Sequence, residues 1–386
     1  MAGIYIHIPF CNQFCTYCNF YSVKGKALRN SFVAALHREI EDKKLFFHGS
    51  GVAPQTVYVG GGTPSLLQAS QLGEILSHIK EAFNFIPVEA TVEVNPDDIT
   101  PQYARELFQA GFNRVSMGVQ SFHDSHLLWM NRRHSGEQAV QAYRNLRDAG
   151  FTNISLDLIF GYGGLSMQQW KENVGKIMEL SPEHISAYQM SIEPGSALCK
   201  LLEKGEYDLV PDSLCHEQYS VLQQMLAEGG YTQYEISNFA RMDSEGNLMI
   251  SKHNSSYWTK EPYLGLGPAA HSYNGRQRLW NGNSVTAYCR HYTEMPIMTT
   301  SKRSLLEFGG YEELTTEDVF NESIMLGLRT VEGVLLSSLD QSLLLEVRGE
   351  ISRHCRLGNL VMEGDKIRIP SEKLFVSDGI IKDLFI

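Results

Sequence analysis

The sequence lacks any long uninterrupted apolar run, so none of its 386 residues form a segment typical of a transmembrane helix. The N-terminal residues MAGIYIHIPFC lack the basic start and the apolar core of a secretory signal peptide. With 43% hydrophobic and 20% charged residues, the composition is that of an ordinary globular protein. We therefore expect a cytoplasmic protein, and a peripheral place at the inner face of the membrane stays open.

An excess of positive charge is also missing, because 33 Lys and Arg residues stand against 44 Asp and Glu residues, a net charge of -11. Nonspecific nucleic-acid binding requires a basic face that neutralises phosphates, so we expect no nucleic-acid partner. The cysteines do not indicate a disulfide framework, since there are seven of them in a long chain and three lie within eight residues. This crowding favours a metal centre.

Short β-branched or aromatic runs alternate with segments of helical apolar spacing in the first half of the chain. The predicted strands cover 4–8, 56–59, 88–94, 114–119, 154–160 and 185–190. The predicted helices cover 31–47, 67–83, 101–109, 136–148 and 167–180, with Thr100 and Ser135 as N-caps and Pro101 in a first turn. Six such units imply parallel strands with right-handed crossovers but are too few for a closed eightfold barrel. The sequence predicts an α/β fold, an open (β/α)6 partial TIM-type barrel with ligands at the carboxyl ends of its strands.

The rhythm changes after about residue 200, where a long helical stretch at 213–228 leads into an aromatic-rich segment. We predict a barrel core over 1–200, an α+β extension over 201–292 and a linker over 293–314. A small helical, winged-helix-like domain is expected over 315–386, with short strands at 359–362 and 366–369 around the turn EGD.

The most specific motif is Cys11-x-x-x-Cys15-x-x-Cys18, directly after the first predicted strand. Three closely spaced thiolates can each bind one iron of a four-iron cluster and leave the fourth iron open. A zinc site is the alternative, but zinc prefers four ligands, usually in two separated pairs, and His7 could complete such a site only awkwardly. The spacing therefore favours a [4Fe-4S] cluster.

The stretches YIHIPFCNQFCTYCNF and GGGTPS resemble the HemN/HemW branch of the radical-SAM family, and the resemblance extends over the whole chain. It implies the radical-SAM fold, a cluster on the three cysteines and S-adenosylmethionine (SAM) on the open iron. The positions that match the family's SAM pocket are Tyr5, Tyr17, Gly61, Gly62, Thr63, Glu93, Gln120, Arg132 and Asp157.

The residue types at these positions suit SAM. Glycines at a strand end let backbone amides approach the methionyl group, carboxylates can bind ribose hydroxyls or the amino group, and Arg can bind the carboxylate. The segment Tyr162-Gly163-Gly164 departs from the family's usual Leu-Pro-Gly and leaves the shape of that loop open.

Two features place the chain nearer to the family's heme chaperones than to its oxygen-independent coproporphyrinogen III oxidases. The oxidases carry a fourth cysteine where this chain has Phe20, and they have a longer N-terminal extension. The segment from His253 to Trp258 matches the motif HNxxYW, which the resemblance associates with heme binding. His253 is therefore a candidate axial ligand of heme.

The resemblance implies three cofactors or ligands, a [4Fe-4S] cluster, SAM and heme, and delivery of heme to respiratory proteins. Alternatives stay open: the oxidase itself, another SAM-dependent radical enzyme, or a binding module with a structural cluster. SAM cleavage, the mode of heme attachment and homodimer formation also stay open. We expect His271 to be a structural or pocket residue, and Cys199, Cys215, Cys289 and Cys355 to be small buried hydrophobic residues.

Overall fold

A computed structural model describes residues 1–48, 51–294 and 308–386. Its strands are β1 Ala2–Ile8, β2 Pro54–Gly61, β3 Glu89–Val94, β4 Arg114–Gln120, β5 Ile154–Phe160, β6 His184–Gln189, β7 Thr232–Gln233, β8 Asn238–Ala240, β9 Tyr263–Leu266, β10 His271–Tyr273, β11 Gln277–Asn281, β12 Gly309–Glu313, β13 Val334–Leu335, β14 Val361–Glu363 and β15 Lys366–Arg368. Its α-helices are α1 Arg29–Lys43, α2 Ala69–Ala82, α3 Pro101–Gln109, α4 Asp124–Trp129, α5 Gly136–Asp148, α6 Met167–Leu180, α7 Ala197–Glu203, α8 Asp212–Glu228, α9 Lys252–Trp258, α10 Val285–Glu294, α11 Thr316–Leu328, α12 Gln341–Arg356 and α13 Ser377–Lys382.

Strands β1 to β6 are parallel neighbours in chain order, as the βα rhythm of the sequence predicts. Among the described residues the sheet order is β12-β11-β10-β9-β1-β2-β3-β4-β5-β6-β8-β7, so the sheet ends in two edge strands. The fold class predicted from the sequence, an open α/β partial barrel, is confirmed.

Alternation along each strand separates an apolar outer face from a polar inner face, the lumen. In β1, Ile4, Ile6 and Ile8 are fully buried among core side chains. The intervening Tyr5 and His7 face the lumen, where Tyr5 Oη lies 3.1 Å from His7 Nδ1. Each buried aliphatic side chain contributes about 1.5–3 kcal/mol, and the apolar face thereby fixes which residues can meet inside the barrel.

The predicted helix starts are also confirmed. Thr100 Oγ1 accepts a hydrogen bond of 3.1 Å from the Tyr103 amide, and Ser135 Oγ accepts one of 3.2 Å from the Gln138 amide. These side chains satisfy amides that have no partner within their own helix. The loops before α3 and α5 therefore have defined ends on the barrel.

The segment after β6 extends the sheet at both edges of the six parallel strands. Strand β9 pairs in parallel with β1, and β8 pairs antiparallel with β6. The buried carboxylate of Glu39 on α1 accepts hydrogen bonds from the Gly267 amide (2.7 Å), Asn281 Nδ2 (2.6 Å) and Tyr288 Oη (2.6 Å). One side chain of the barrel thus holds three parts of the extension.

The C-terminal residues combine helices α11, α12 and α13 with a three-stranded antiparallel sheet in the order β13-β15-β14. This is the small helical, winged-helix-like architecture expected from the sequence. Most of the predicted linker 293–314 lies outside the described residues, and its last part is β12, which pairs with β11. No helix in the described ranges is both long and apolar enough to span a membrane.

Candidate functional site

Residues 11–18, the cluster loop, follow the carboxyl end of β1 and carry the three cysteines of the motif. Cys11, Cys15 and Cys18 are half-buried and none forms a disulfide. Burial raises the pKa of the Cys18 thiol to about 11, and the charges of Cys15 and Cys11 add to the rise. The Cys18 amide donates to the Cys15 carbonyl over 3.3 Å, so the backbone forms a tight turn between these two cysteines. The three sulfurs therefore stand on one short loop.

The loop after α4 holds the cluster loop in place. The Thr16 amide donates to the Met130 carbonyl over 3.1 Å, and Thr16 Oγ1 donates to the Trp129 carbonyl over 2.9 Å. Asn131 Nδ2 donates to the Phe14 carbonyl over 2.6 Å. These contacts connect segments more than one hundred residues apart and fix the backbone around Cys15.

Arg132 lies where the cluster loop meets the ends of β3 and β4. Its Nη1 is 3.4 Å from Cys15 Sγ, and its Nη2 donates to Asn95 Oδ1 (2.8 Å) and to the Gly118 carbonyl (2.7 Å). Asn95 Nδ2 in turn donates to Thr63 Oγ1 over 3.3 Å, and Thr63 Oγ1 is 3.6 Å from Cys11 Sγ. A continuous set of polar contacts thus runs from Cys15 to Cys11.

Gln120 joins this group because the backbone of β4 is irregular at its end. The register with β5 shifts between Gly118 and Gln120, and Gln120 has a φ of 67°. Its Nε2 lies so close to Gly118 that a side chain there would meet it at 2.7 Å. The bulge therefore places the Gln120 amide beside Gly118, whose carbonyl accepts from Arg132, and irregular strand ends of this kind are common near functional sites.

The glycine run after β2 is required by close packing. A Cβ on Gly61 would lie 2.6 Å from His7 Nδ1, and one on Gly62 would lie 2.7 Å from the Phe10 carbonyl oxygen. The Gly61 amide donates to Glu93 Oε2 (3.1 Å) and the Gly62 amide to the Ile8 carbonyl (2.9 Å). Both amides already have protein acceptors, so their contact with SAM stays a prediction.

Two carboxyl groups, Glu93 and Asp157, face the lumen below these loops. Tyr58 Oη donates to Glu93 Oε1 over 2.8 Å. Ser116 Oγ lies 3.3 Å from both oxygens of Asp157, and Ser155 Oγ lies 3.4 Å from one of them. Because both groups point into the same interior space, they can act together on a cationic or hydroxyl-bearing ligand.

The lumen disfavours charge on both carboxyls. The pKa of Glu93 is raised to about 7, mainly by burial and also by the nearby Asp157 charge, while the hydrogen bonds from Tyr58 and the Gly61 amide act in the opposite direction. Burial likewise raises the pKa of Asp157 to about 6. A bound cation would favour ionisation of both groups, so the site is suited to a positively charged ligand.

The two predicted tyrosines have different neighbours, Tyr5 lying near Glu93 and Tyr17 near Cys15 and Arg132. The Tyr5 ring stacks on Tyr58 with centroids 6.1 Å apart, and burial raises the pKa of its hydroxyl well above the usual value. Tyr17 is half-buried within the cluster loop, where burial and the charge of Cys15 raise the pKa of its hydroxyl. The predicted SAM residues therefore lie along the carboxyl half of the barrel strands and on the loops that follow, with Tyr5 and Asp157 at the midpoints of β1 and β5.

His253 lies elsewhere. Its ring is fully buried, its Nδ1 is 2.8 Å from Thr56 Oγ1, and its Nε2 is 2.8 Å from Tyr257 Oη. A Cβ on Gly3 would lie 2.7 Å from its ring. Gly3 and Thr56 are near the amino ends of β1 and β2, at the opposite end of the strands from the cluster loop. Neither ring nitrogen is open to an iron here, so a heme-ligand role stays a prediction without support from this packing.

Other expectations have mixed outcomes. His7 is not free for a metal, because its Nε2 lies 2.8 Å from the Tyr21 carbonyl oxygen and its Nδ1 faces Tyr5. His271 is an exposed residue of β10 whose ring lies against Trp280. Of the four remaining cysteines, Cys215 and Cys289 are buried as expected, whereas Cys199 and Cys355 are only half-buried. Cys199 and Cys355 lie on helices, and the burial of a helical residue depends on the tertiary neighbours of that helix, which a single cysteine in the sequence does not predict.

The donor set fits the cofactors that the motif predicts. Three thiols on one loop match a cluster held by three cysteines, and two polar side chains, Thr63 and Arg132, contact Cys11 and Cys15. Asn95 and Tyr58 were not predicted. Asn95 stands two residues after Glu93 at the end of β3, and Tyr58 alternates with Gly60 on β2, so strand periodicity could have identified both.

Comparison with known proteins gives the family. Residues 5–177 match the model of the Radical SAM superfamily. The chain is 33% identical over 338 residues to "Heme chaperone HemW" of Bacillus subtilis, with 86% of this chain and 85% of that protein covered. It is 31% identical over 337 residues to "Radical S-adenosyl methionine domain-containing protein 1, mitochondrial" of Danio rerio, with 86% and 74% covered.

The fold is also similar to a solved structure, coproporphyrinogen III oxidase (HemN) from Escherichia coli, with a TM-score of 0.78. That match covers 100% of this chain and 90% of the other at 20% identity, so it concerns the fold alone. Membership of the superfamily implies a [4Fe-4S] cluster and SAM. The extent and identity of the HemW match show that the chain belongs to the HemW family of radical-SAM proteins.

Proposed function

We propose that this protein is a heme chaperone that binds a [4Fe-4S] cluster, SAM and heme and delivers heme to respiratory hemoproteins. The observation that carries the proposal is the set of three free thiols on the cluster loop, with Arg132 beside Cys15 and two lumen carboxyls below. The 33% sequence identity to a protein named as a heme chaperone supports the proposed binding and delivery of heme.

In this proposal the cluster loop provides the iron ligands, and Arg132, Glu93, Asp157 and Gln120 bind the polar groups of SAM. Arg132 is held by Asn95 and the Gly118 carbonyl, so its guanidinium has a fixed orientation before SAM arrives. When bound, cluster and SAM together supply one-electron reductive chemistry on a carbon–sulfur bond. The protein's own contribution is orientation and a low-dielectric lumen.

Phe20 supports a chaperone over an oxidase. It stands two residues after Cys18, where the oxidases of the family carry a further cysteine, and it is 67% exposed. A phenyl ring can neither bind a metal as a ligand nor transfer a proton. The chain therefore lacks a side chain with thiol chemistry at that position.

The proposal is tested by anaerobic reconstitution with iron and sulfide, followed by a heme titration and a parallel assay with coproporphyrinogen and SAM. We expect stoichiometric heme binding, seen as a Soret band, and no decarboxylation of coproporphyrinogen. Transfer from the heme-loaded protein to an apo-cytochrome, followed by the spectrum of the recipient, tests delivery.

Each alternative has its own signature in this experiment. SAM-dependent formation of protoporphyrinogen would identify an oxidase and overturn the proposal. A loaded protein without any heme affinity would contradict the heme function while leaving the cluster and SAM assignment intact. A cluster-bearing protein with no affinity for SAM would indicate a structural cluster.

A further inference from the structure

We propose that His253 is a positioning residue for the SAM pocket, which acts through Tyr58 on Glu93, and that it is not an iron ligand. The inference rests on the proposed SAM pocket but not on the proposed heme binding. It gives the HNxxYW segment, which lies at the amino ends of the strands, a role in supporting the site at their carboxyl ends.

The segment is anchored at the amino ends of the strands. Glu89, the first residue of β3, accepts hydrogen bonds of 2.9 Å from the amides of Lys252 and His253. Ser251 caps α9 by accepting from the Asn254 amide. A carboxylate at a helix amino end is favourable because it meets unpaired amides and the positive end of the helix dipole. Helix α9 therefore presents His253 to the lumen in one orientation.

His253 is then fixed on all sides. Thr56 and Tyr257 occupy its two nitrogens, and the close approach of Gly3 fills the space beside its ring. Burial lowers the pKa of the imidazole to about 3, which matches a neutral ring that donates through one nitrogen and accepts through the other. All of its polar capacity is used within the protein.

The contact that reaches the SAM pocket is the Tyr58 ring. His253 stacks on Tyr58 with centroids 5.2 Å apart and planes 29° apart, and Tyr58 stacks on Tyr5 on its other side. Tyr58 Oη donates to Glu93, whose second oxygen accepts from the Gly61 amide. A continuous series of contacts thus runs along the lumen from His253 through Tyr58 and Glu93 to the glycine loop, the run of glycines at the end of β2.

Distance separates this histidine from the cluster loop. Its neighbour Gly3 is five residues before Ile8 in β1, which at about 3.3 Å per residue is roughly 17 Å of strand. An iron bound at His253 would require loss of a buried hydrogen bond and displacement of the packed Tyr257 ring. The observed packing gives the residue a supporting function without any such opening.

The test measures SAM and heme binding separately on reconstituted protein, by equilibrium dialysis with labelled SAM and by heme titration. We expect His253→Ala to weaken SAM binding about fivefold, as loss of about one net interaction would, with unchanged iron content and an unchanged Soret titration. Tyr58→Phe should weaken SAM binding similarly. The double variant should be no weaker than the worse single variant, because both changes act on the same contact to Glu93.

His354→Ala is the matched control. His354 is also buried and has both nitrogens near partners, Asp383 and Asn359, but it lies on α12 of the C-terminal segment. Its loss should lower the melting temperature without changing the SAM affinity. His253→Gln keeps an amide donor and acceptor and should recover part of the SAM affinity. If His253→Ala does not fold, Tyr257→Phe removes a single hydrogen bond to the ring and should weaken SAM binding to a smaller extent.

The outcomes separate this inference from the proposed function. The inference would be overturned if His253→Ala bound SAM as tightly as wild type. It would also be overturned if the variant lost heme binding in the Soret titration while its SAM affinity stayed intact. If the wild-type protein binds SAM but no heme, the chaperone function fails while the SAM comparison still decides the role of His253. If the wild-type protein binds no SAM, the proposed SAM pocket itself fails.

Discussion

At the scale of single residues, Arg132 shows how a side chain can serve two parts of a site. It contacts a cluster cysteine, an asparagine and a backbone carbonyl at once. Arginine suits this position because its planar guanidinium directs several donors along fixed lines, whereas a lysine ammonium does not. Sequence resemblance identified the residue, but only the structure shows that its orientation is set by Asn95.

We therefore predict that Arg132→Lys will weaken SAM binding about tenfold while the cluster is retained. Lysine keeps the charge but cannot satisfy Cys15, Asn95 and the Gly118 carbonyl together, which leaves buried acceptors without a donor. Iron content and SAM dialysis measure the two effects. Arg133→Lys is the control, because Arg133 pairs with Asp97 and Asp98 on the other side of the loop. Loss of affinity equal in both variants would contradict the assignment.

Glu93 gives a prediction in pH. Its pKa is about 7 in the folded chain, mainly through burial, against an ordinary 4.5. Between these values the folded protein keeps a proton that the unfolded chain has released, so this group makes stability fall as pH rises from about 4.5 to about 7. Without SAM, Glu93→Gln should raise the melting temperature relative to wild type more at pH 8 than at pH 5.

Asp157 affects the pH dependence of stability in the same direction, since burial also raises its pKa, to about 6.

The control for Glu93→Gln is Glu137→Gln, because Glu137 is exposed at the start of α5. Its melting temperature should differ from that of wild type by the same small amount at both pH values. A melting-temperature difference for Glu93→Gln that is independent of pH would show that the carboxyl is not held neutral in the lumen.

At the scale of elements, the barrel strands and the helix at 213–228 were predictable from the sequence, and the short strands of the extension were not. The six strands β1 to β6 have six to eight residues each and are rich in β-branched side chains, and the caps at Thr100 and Ser135 are local signals, so pattern and turn chemistry identify them. The strands β7 to β12 have two to five residues each, and β8 and β9 join the sheet through β6 and β1, which are distant in the sequence. Periodicity carries little information over so few residues.

The glycine loop after β2 is the element on which the cluster loop packs, and Gly62→Ala should therefore disturb cluster binding. The new Cβ would lie 2.7 Å from the Phe10 carbonyl oxygen and 2.9 Å from that of Ile8, both of them backbone atoms that cannot turn away. We expect reconstituted iron content to fall by at least half.

The control for this variant is Gly175→Ala on α6, where nothing lies within 4 Å of the added carbon. Alanine in a helix interior is more stable than glycine by roughly 0.5–1 kcal/mol, so this variant should melt slightly higher and keep its iron. Full iron content in Gly62→Ala would show that the loop adapts and that the close approach is not required.

At the scale of the whole molecule, the chain is a radical-SAM barrel with different groups of residues toward its two ends. The cluster cysteines and most of the SAM candidates lie toward the carboxyl ends of the strands, and α9 with its buried histidine packs against β1 and β2 near their amino ends. The motif match predicts a heme-ligand role for His253, and that role stays a prediction, because a six-residue match carries no information about burial. Its location is decided by Gly3 and Thr56, whose contact with it no local pattern reveals.

The central claim, a cluster held by the three cysteines of the cluster loop, is tested most directly by anaerobic reconstitution of wild type, Cys15→Ser and Cys199→Ser. We predict about four irons per chain and a broad iron–sulfur absorption band for wild type and for Cys199→Ser, whose changed residue lies on α7. Cys15→Ser should lose that absorption. An intact cluster spectrum in Cys15→Ser, at wild-type iron content, would contradict the account.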